Sequence, residues 1–556
     1  MKSSVLRNTV AWLTAVALLV LVQWVTGAHL RDFDAASGDE ATHFVTGIVI
    51  RDYLSSGLGT SPMAFAERFY VSYPRVGFGI WPPLFHLLEG VWFFLVPLSR
   101  WSALLLMAIL NGTIALLLYR EARRYFSSHW AWAAGVVFLL LPLTVETSSF
   151  LGADPAVSLL MFAATLAWTR YLVGWETRWS IAFGVLASLA LLTKYNALSL
   201  TLLPLISIPL SGQWILFRRA ATWLAAGIVI ILAGPWYLWS WKLVKYAAEG
   251  VPPDRWAAFT GNMMAVATAL GISLLLTAAA CVGRAFLHLD RLPSQTERSR
   301  HIWQISLFSL ILSLVLFHSF AYPYVQERYL LSCLPAALLL SASGLLWILH
   351  SPSGGRLPAA LAGVSMLLFL GASHSREWDQ YAGLREVGEA VSRGLRSNPG
   401  SRVLISSPAS GEGSLIAEVA VREDRPFSFL LRGSKMLAHS TWQGEHYQLL
   451  YEDESRLRSA LDSLRVDYIV IDSFGKKPHD LLIQKTIPAA TDEWSLVQSF
   501  QRIQPVTGRE RRFWLYRRSA PFSRPARDLE VDLTYTLGRV VKAPTLPAPI
   551  STLSFD

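Results

Sequence analysis

Charge is what this sequence has least of. Only 16% of its 556 residues are Asp, Glu, Lys or Arg, where a soluble globular domain carries about 25%. A chain so poor in polar surface cannot clothe a water-soluble body of its size, which excludes an ordinary cytosolic enzyme. Cysteine is scarce too. Cys281 and Cys333 both sit in apolar stretches without the spacing of a metal site or a disulfide framework, so they read as small core residues. No glycine-rich dinucleotide fingerprint occurs in a strand-turn-helix setting. The stretch SSPASGEGS over 406–414 looks like a nucleophile loop but lacks the Gly-x-Ser-x-Gly pattern. What is abundant excludes disorder: 53% hydrophobic and 12% aromatic residues, in long Leu, Val and Ala runs. A polytopic membrane protein remains, and its 22 Trp and 18 Tyr suit interfacial aromatic belts. The net charge of +10 does not imply nucleic acid, because basic residues between spans are topology determinants.

Apolar stretches of about 20 residues fall at 8–28, 81–98, 101–119, 131–150, 155–173, 180–193, 197–211, 221–240, 259–283, 302–320, 330–349 and 357–373. The first follows Lys2 and Arg7, is longer than a signal-peptide core and lacks a small-x-small cleavage site, so it reads as an uncleaved anchor. The second opens with Pro82 and Pro83, contains His86 and Glu89, and is parted from the third by only Ser99 and Arg100. If 81–98 lies in the interface, the loops with Arg120, Arg123 and Arg124, with Arg178, with Arg218 and Arg219, with Arg284, Arg291, Arg298 and Arg300, and with Arg356 share one side with Lys2 and Arg7. That arrangement satisfies the positive-inside bias at every loop. The expectation is therefore about 11 spans, a cytoplasmic N-terminus, and an interfacial or re-entrant helix 81–98 inside an outer loop 29–100. The stretches 180–193 and 197–211 are short and need tilt or local thinning.

Past residue 373 the composition turns polar. Strand-like runs at Arg402–Ser406, Tyr468–Asp472 and Phe513–Arg517 alternate with helix-like Leu384–Leu395 and Ser455–Leu464. The expected fold is an α-helical polytopic membrane domain over 1–373, followed by an extracytoplasmic α/β domain over 374–556.

Ionisable groups at the edge of a span are costly unless paired or wet, which makes each a functional candidate. On this topology the outer ends carry Asp39 and Glu40 in GDEATHF, Glu146 and Asp154 in VETSSFLGADP, Lys194 in LLTKYNA, and Glu327 and Arg328 in VQERYLL. Carboxylates there could act as a general base or as ligands of a divalent cation. Cations there could hold a phosphate leaving group. Each residue also has a plainer reading. Asp39 and Glu40 suit a helix cap, Asp154 before Pro155 suits a helix start, Lys194 could snorkel, and Glu327 with Arg328 could form a structural pair. His43 and His86 suit polar loop or interfacial positions; Asp39, Glu40, Asp154, His43 and His86 could form a metal site, with Asp39, Glu40 and His43 foremost, but show no diagnostic ligand spacing.

In order and topology these motifs resemble the GT-C superfamily of glycosyltransferases: the protein O-mannosyltransferases, the aminoarabinose transferases and the lipopolysaccharide-core enzymes. The resemblance covers about 8–350 and rests on Asp39 and Glu40, on Trp81, Pro82, Pro83 and Leu84, on Asp154, on Leu192 to Tyr195, and on Arg328 to Leu331 with Pro335. The chain departs from the usual Asp-Glu-x-His-Phe by one extra residue before His43, and Trp81 stands where a histidine often precedes Pro-Pro. The resemblance implies inverting transfer of a sugar from a polyprenyl phosphate donor to a lipid, glycan or protein acceptor on the outer face of a bacterial inner membrane. It implies Asp39 as general base supported by Glu40, Asp154 as an orienting group, and Lys194 and Arg328 on the donor phosphate. Tyr195, Trp81, His86 and Glu327 would line the substrate cavity, and the aromatics Phe65, Phe69, Tyr70, Tyr73 and Phe78 would wall the entry of the lipid tail. No cofactor beyond a divalent cation is implied, and neither the sugar nor the acceptor is specified.

Two other readings remain. A lipid-linked glycan flippase would place ionisable groups near the bilayer midplane and show internal repeats; here the charges sit at the rim and the two halves are unlike. A polymerase or ligase of lipid-linked oligosaccharides would use the same chemistry on a larger donor.

Overall fold

The computed structural model describes residues 2–34, 38–77, 79–248, 254–287, 294–350, 356–374, 383–423, 428–439, 447–503, 508–524, 528–533 and 539–543. Among the described residues, seven helices are long and apolar enough to cross a membrane: Val5–Val25, Arg100–Tyr125, Asp154–Gly174, Ala220–Trp241, Arg255–Leu287, Gln295–Ala321 and Glu327–Leu349. Ser128–Leu140 and Pro142–Ser148, bent by 60°, make an eighth if taken as one span. Pro142 explains the bend, since it has no N–H to continue the hydrogen-bond ladder. The eleven stretches expected from sequence comprise these eight and three shorter apolar helices. Three of the expected stretches form the apolar helices Thr177–Leu191, Tyr195–Leu210 and Arg356–Ala372, which have 10–17 residues, short of the roughly 20 that a bilayer core needs.

The two ends of the helix Arg100–Tyr125 meet different neighbours. Arg100–Tyr125 ends where Arg300 donates to the Tyr125 carbonyl at 3.2 Å and Tyr125 stacks on Trp303 at 4.1 Å. Its start, capped reciprocally by Ser99 and Ser102, lies beside the outer loop, where Trp92 Nε1 donates to the Ser102 carbonyl at 2.8 Å. A helix of 26 residues separates these two ends by about 39 Å.

Between the first two long apolar helices run three shorter helices, Glu40–Asp52, Pro62–Ser72 and Leu84–Leu95. The first and third cross closely because glycines face each other's side chains. A Cβ at Gly90 would collide with Ile50, and one at Gly47 would stand 2.9 Å from Phe93. Leu84 N–H, an orphan donor of a helix start, donates to the Leu192 carbonyl at 2.8 Å. That bond fastens the Pro-Pro-Leu segment to the Leu-Thr-Lys-Tyr segment.

The C-terminal region contains a five-stranded sheet in the order Phe429–Arg432, Arg402–Ser406, Val466–Asp472, Glu510–Arg518, Trp494–Ile503. The first three strands are parallel and the last two antiparallel to their neighbours. All three strands expected from sequence are present, two of them longer than expected, and the helices Leu384–Ser397 and Glu454–Ser463 match the helical expectations. One apolar cluster joins this region to the outer loop, with Phe44, Val45 and Ile48 in the same core as Leu415, Ile416 and Val419. Polar bonds reinforce it: Leu384 N–H donates to Asp32 at 3.3 Å, and the Tyr73 hydroxyl donates to the Glu423 carboxylate.

Candidate functional site

Asp39 stands at the start of the helix Glu40–Asp52 yet makes no side-chain cap bond. Its carboxylate is held instead by the Arg328 guanidinium at 2.8 Å. The Asp39 side chain is 33% exposed, which leaves it reachable by a substrate. Arg328 also donates to Gln326 Oε1 at 2.7 Å, so its fork is aimed from both sides.

A second pair lies alongside. Asp154, in the first turn of Asp154–Gly174, accepts from Lys194 Nζ at 2.5 Å. The helix-start reading of Asp154 is correct for the backbone, but the carboxylate turns outward to the cation. The Tyr329 ring brings the two pairs together: Lys194 Nζ lies 4.7 Å from its centroid and the Arg328 guanidinium carbon 5.9 Å. A hydrogen bond of 3.0 Å between Ser158 and Ser332 sets the turn bearing Arg328 against the helix bearing Asp154.

Glu40 faces away from these pairs. It meets Arg100 at 2.9 Å and accepts from the Leu151 backbone at 3.1 Å, buried to 1% exposure. Burial pushes its carboxyl above the ordinary carboxylate range, and the Arg100 guanidinium pulls it part of the way back. Arg100, read from sequence only as a separator of two runs, is thus the clamp on the helix that carries Asp39.

Trp81 stacks on His43 at 4.3 Å, and His43 Nδ1 lies 3.0 Å from His86 Nε2. Asp39, Glu40 and His43 therefore point to three different partners. Among the described residues, the group of three His, Cys, Asp or Glu side chains whose ligand atoms all come within 4.8 Å of one another is His43, His86 and Glu89. Tyr195 packs edge-on against Tyr237 at 5.4 Å, and Glu327 is exposed. Phe65, Phe69 and Tyr73 are buried in the core shared with the C-terminal region, with Tyr70 packed against it. Phe78 lies outside the described residues.

Further acids sit under the loop. Asp34 pairs with Arg75 at 2.9 Å, and burial still pushes its carboxyl up to about 6. Burial pushes Asp32 up to about 8, with the nearby Glu418 adding to the effect. Sequence reading passed over both, since nothing local marks a loop carboxylate that a distant region will cover. Tyr329 was also missed as a site residue, because it looked like one more interfacial aromatic.

With this geometry in place, the chain can be set beside known proteins. Residues 81–239 match the family model described as dolichyl-phosphate-mannose-protein mannosyltransferase, a stretch carrying Trp81, His86, Asp154, Lys194 and Tyr195. The crystal structure of ArnT from Cupriavidus metallidurans in the apo state superposes with a TM-score of 0.55 at 14% identity, covering 91% of this chain and 98% of that one. The fold is that of the GT-C glycosyltransferases. ArnT from the same organism bound to undecaprenyl phosphate gives a TM-score of 0.41 at 17% identity, over 74% of this chain and 75% of that one. The oligosaccharyltransferase of Archaeoglobus fulgidus tethered with an acceptor peptide gives 0.46 at 13% identity, over 92% and 75%. No curated protein matches the sequence. The GT-C likeness read from ordered motifs is thus present both in a stretch of sequence and in the fold, and the membrane character it carries agrees with the apolar helices.

Proposed function

We propose that this protein is an integral membrane glycosyltransferase that moves a sugar from a polyprenyl-phosphate-linked donor to an acceptor on the extracytoplasmic face, with inversion. The observation that carries this reading is the pairing of two carboxylates with two cations around one tyrosine, Asp39 with Arg328 and Asp154 with Lys194 about Tyr329. The matching family is named for a sugar carried on dolichyl phosphate, which is a polyprenyl-phosphate donor.

In the resting pairs each cation is neutralised by an acid. A donor phosphate arriving beside Tyr329 gives Arg328 and Lys194 a competing anion, and charge-assisted bonds to phosphate are strong. As Arg328 turns to the phosphate, Asp39 is freed. The acceptor hydroxyl or amine then gives its proton to Asp39 and attacks the anomeric carbon. The bond from that carbon to the phosphate oxygen breaks, and the lipid phosphate leaves with the electron pair, stabilised by Arg328 and Lys194. Asp154 keeps Lys194 aimed, and Glu40 with Arg100 fixes the helix that presents Asp39. On this reading residues 1–373 are the catalytic membrane domain and 374–556 an extracytoplasmic domain, in a bacterial inner membrane with the N-terminus inside.

The test uses purified protein in detergent with a polyprenyl phosphate sugar and simple acceptors. Release of free polyprenyl phosphate together with a glycosylated acceptor is expected. Transbilayer movement of the intact donor in liposomes without phosphate release would replace this reading with a flippase.

A further inference from the structure

One buried cluster has no part in the reaction described above. His86 and Glu89 are three residues apart on the helix Leu84–Leu95, a spacing that puts both on one face. His43 meets them from the crossing helix Glu40–Asp52. Their exposures are 5% for His43, 3% for His86 and 0% for Glu89. Both carboxylate oxygens of Glu89 are buried without a hydrogen-bond partner among the described residues. An acid so placed is expensive unless it is paired or coordinates a metal. The two imidazoles offer each other nitrogens at 3.0 Å, so one ring must donate and the other accept. Around them the walls are apolar and rigid: Trp81 stacks on His43 at 4.3 Å, Phe85 meets His43 edge-on at 5.4 Å, and the absent side chain of Gly47 leaves room for the Glu89 stem.

Two imidazoles and one carboxylate are a donor set suited to zinc and its neighbours in the transition series. Tetrahedral coordination at roughly 2.0–2.1 Å places adjacent ligand atoms about 3.3 Å apart. The histidine pair is already near that spacing, and all three ligand atoms lie within 4.8 Å. We propose that His43, His86 and Glu89 bind a divalent transition-metal ion of the zinc class. The ion neutralises Glu89, replaces the shared imidazole hydrogen, and pins the helix that begins at Asp39 to the helix behind Trp81. The site shares His43 and His86 with the residues that the sequence offered for a metal, and replaces Asp39, Glu40 and Asp154 by Glu89. It does not depend on the proposed sugar transfer.

The experiment uses the full-length protein, with any polyhistidine tag removed, stripped by a chelator and then titrated with Zn2+ and, separately, with Co2+. The wild type is expected to take up about one equivalent of Zn2+ and to give the intense visible absorption of tetrahedral Co2+. Glu89→Gln and His86→Ala are expected to weaken uptake by about tenfold or more, while Asp39→Asn keeps it. No uptake by the wild type, or undiminished uptake by Glu89→Gln, overturns the proposal. So does loss of uptake in Asp39→Asn with retention in His86→Ala, which would place the ion elsewhere. If the Glu89 and His86 variants do not fold, the wild-type Co2+ spectrum decides: a tetrahedral spectrum supports the site, and a weak octahedral one overturns it.

Discussion

Arg328 closes on Asp39 at 2.8 Å across 289 residues of chain. The contact joins the start of the helix Glu40–Asp52 to the first turn of the apolar helix Glu327–Leu349, and it neutralises the most accessible carboxylate of the site. Asp39→Asn keeps the shape and removes the base. Turnover with a polyprenyl phosphate sugar is expected to fall by about 10² or more, while equilibrium binding of the lipid phosphate stays within a fewfold of wild type. Steady-state kinetics beside a lipid phosphate binding isotherm check both halves.

The Lys194 and Asp154 pair separates stability from activity. Asp154 is almost fully buried, so Lys194→Gln alone strands its charge and is expected to cost about 3 kcal/mol of stability. Adding Asp154→Asn removes the stranded charge. The double variant should recover most of the unfolding midpoint in detergent yet remain inactive, and a double variant that regained turnover would exclude Lys194 from the phosphate site.

Gly90 faces Ile50 where the outer helices cross. Gly90→Ala forces them apart and is expected to destabilise the fold by roughly 1–3 kcal/mol. Ile50→Ala in the same chain makes room for the added methyl and should restore part of the loss, as thermal unfolding of the three variants will report.

Asp32 lends the junction with the C-terminal region a pH dependence. Its carboxyl is pushed up to about 8 in the folded protein, above its ordinary value. Folding therefore favours the protonated form. The contribution is fully present below the ordinary value of 3.8 and is lost progressively as pH rises from there to about 8, above which the folded protein has ionised the group too. The unfolding midpoint is expected to fall between about pH 5 and 8 in the wild type and to level off above about 8, and Asp32→Asn should flatten that fall.

Much of this arrangement could be read before any coordinates. The membrane class followed from 16% charge, and Asp39, Asp154, Lys194 and Arg328 stood out because charge at a span edge is costly. Which cation would meet which acid could not be read, since Asp154 and Lys194 lie 40 residues apart and Asp39 and Arg328 lie 289 apart. Only the packing of spans sets those pairings. The short runs were the hardest to place because hydropathy counts apolar residues without seeing where a helix stops. The 3₁₀ turn Tyr195–Thr201 and the bend at Pro142 are backbone events inside apolar runs. Glu89 was visible three residues after His86, but its meaning depends on His43 arriving from another helix.

The core shared by Phe44, Val45 and Ile48 with Leu415, Ile416 and Val419 sets the unit in which this protein can be exchanged with others. A C-terminal region transplanted from another protein of this fold would meet a helix shaped for different side chains, and the helix so disturbed is the one that begins at Asp39. Chimaeras cut at residue 373 alone split one core in two. Chimaeras that carry residues 29–100 along with everything beyond 373 move it whole.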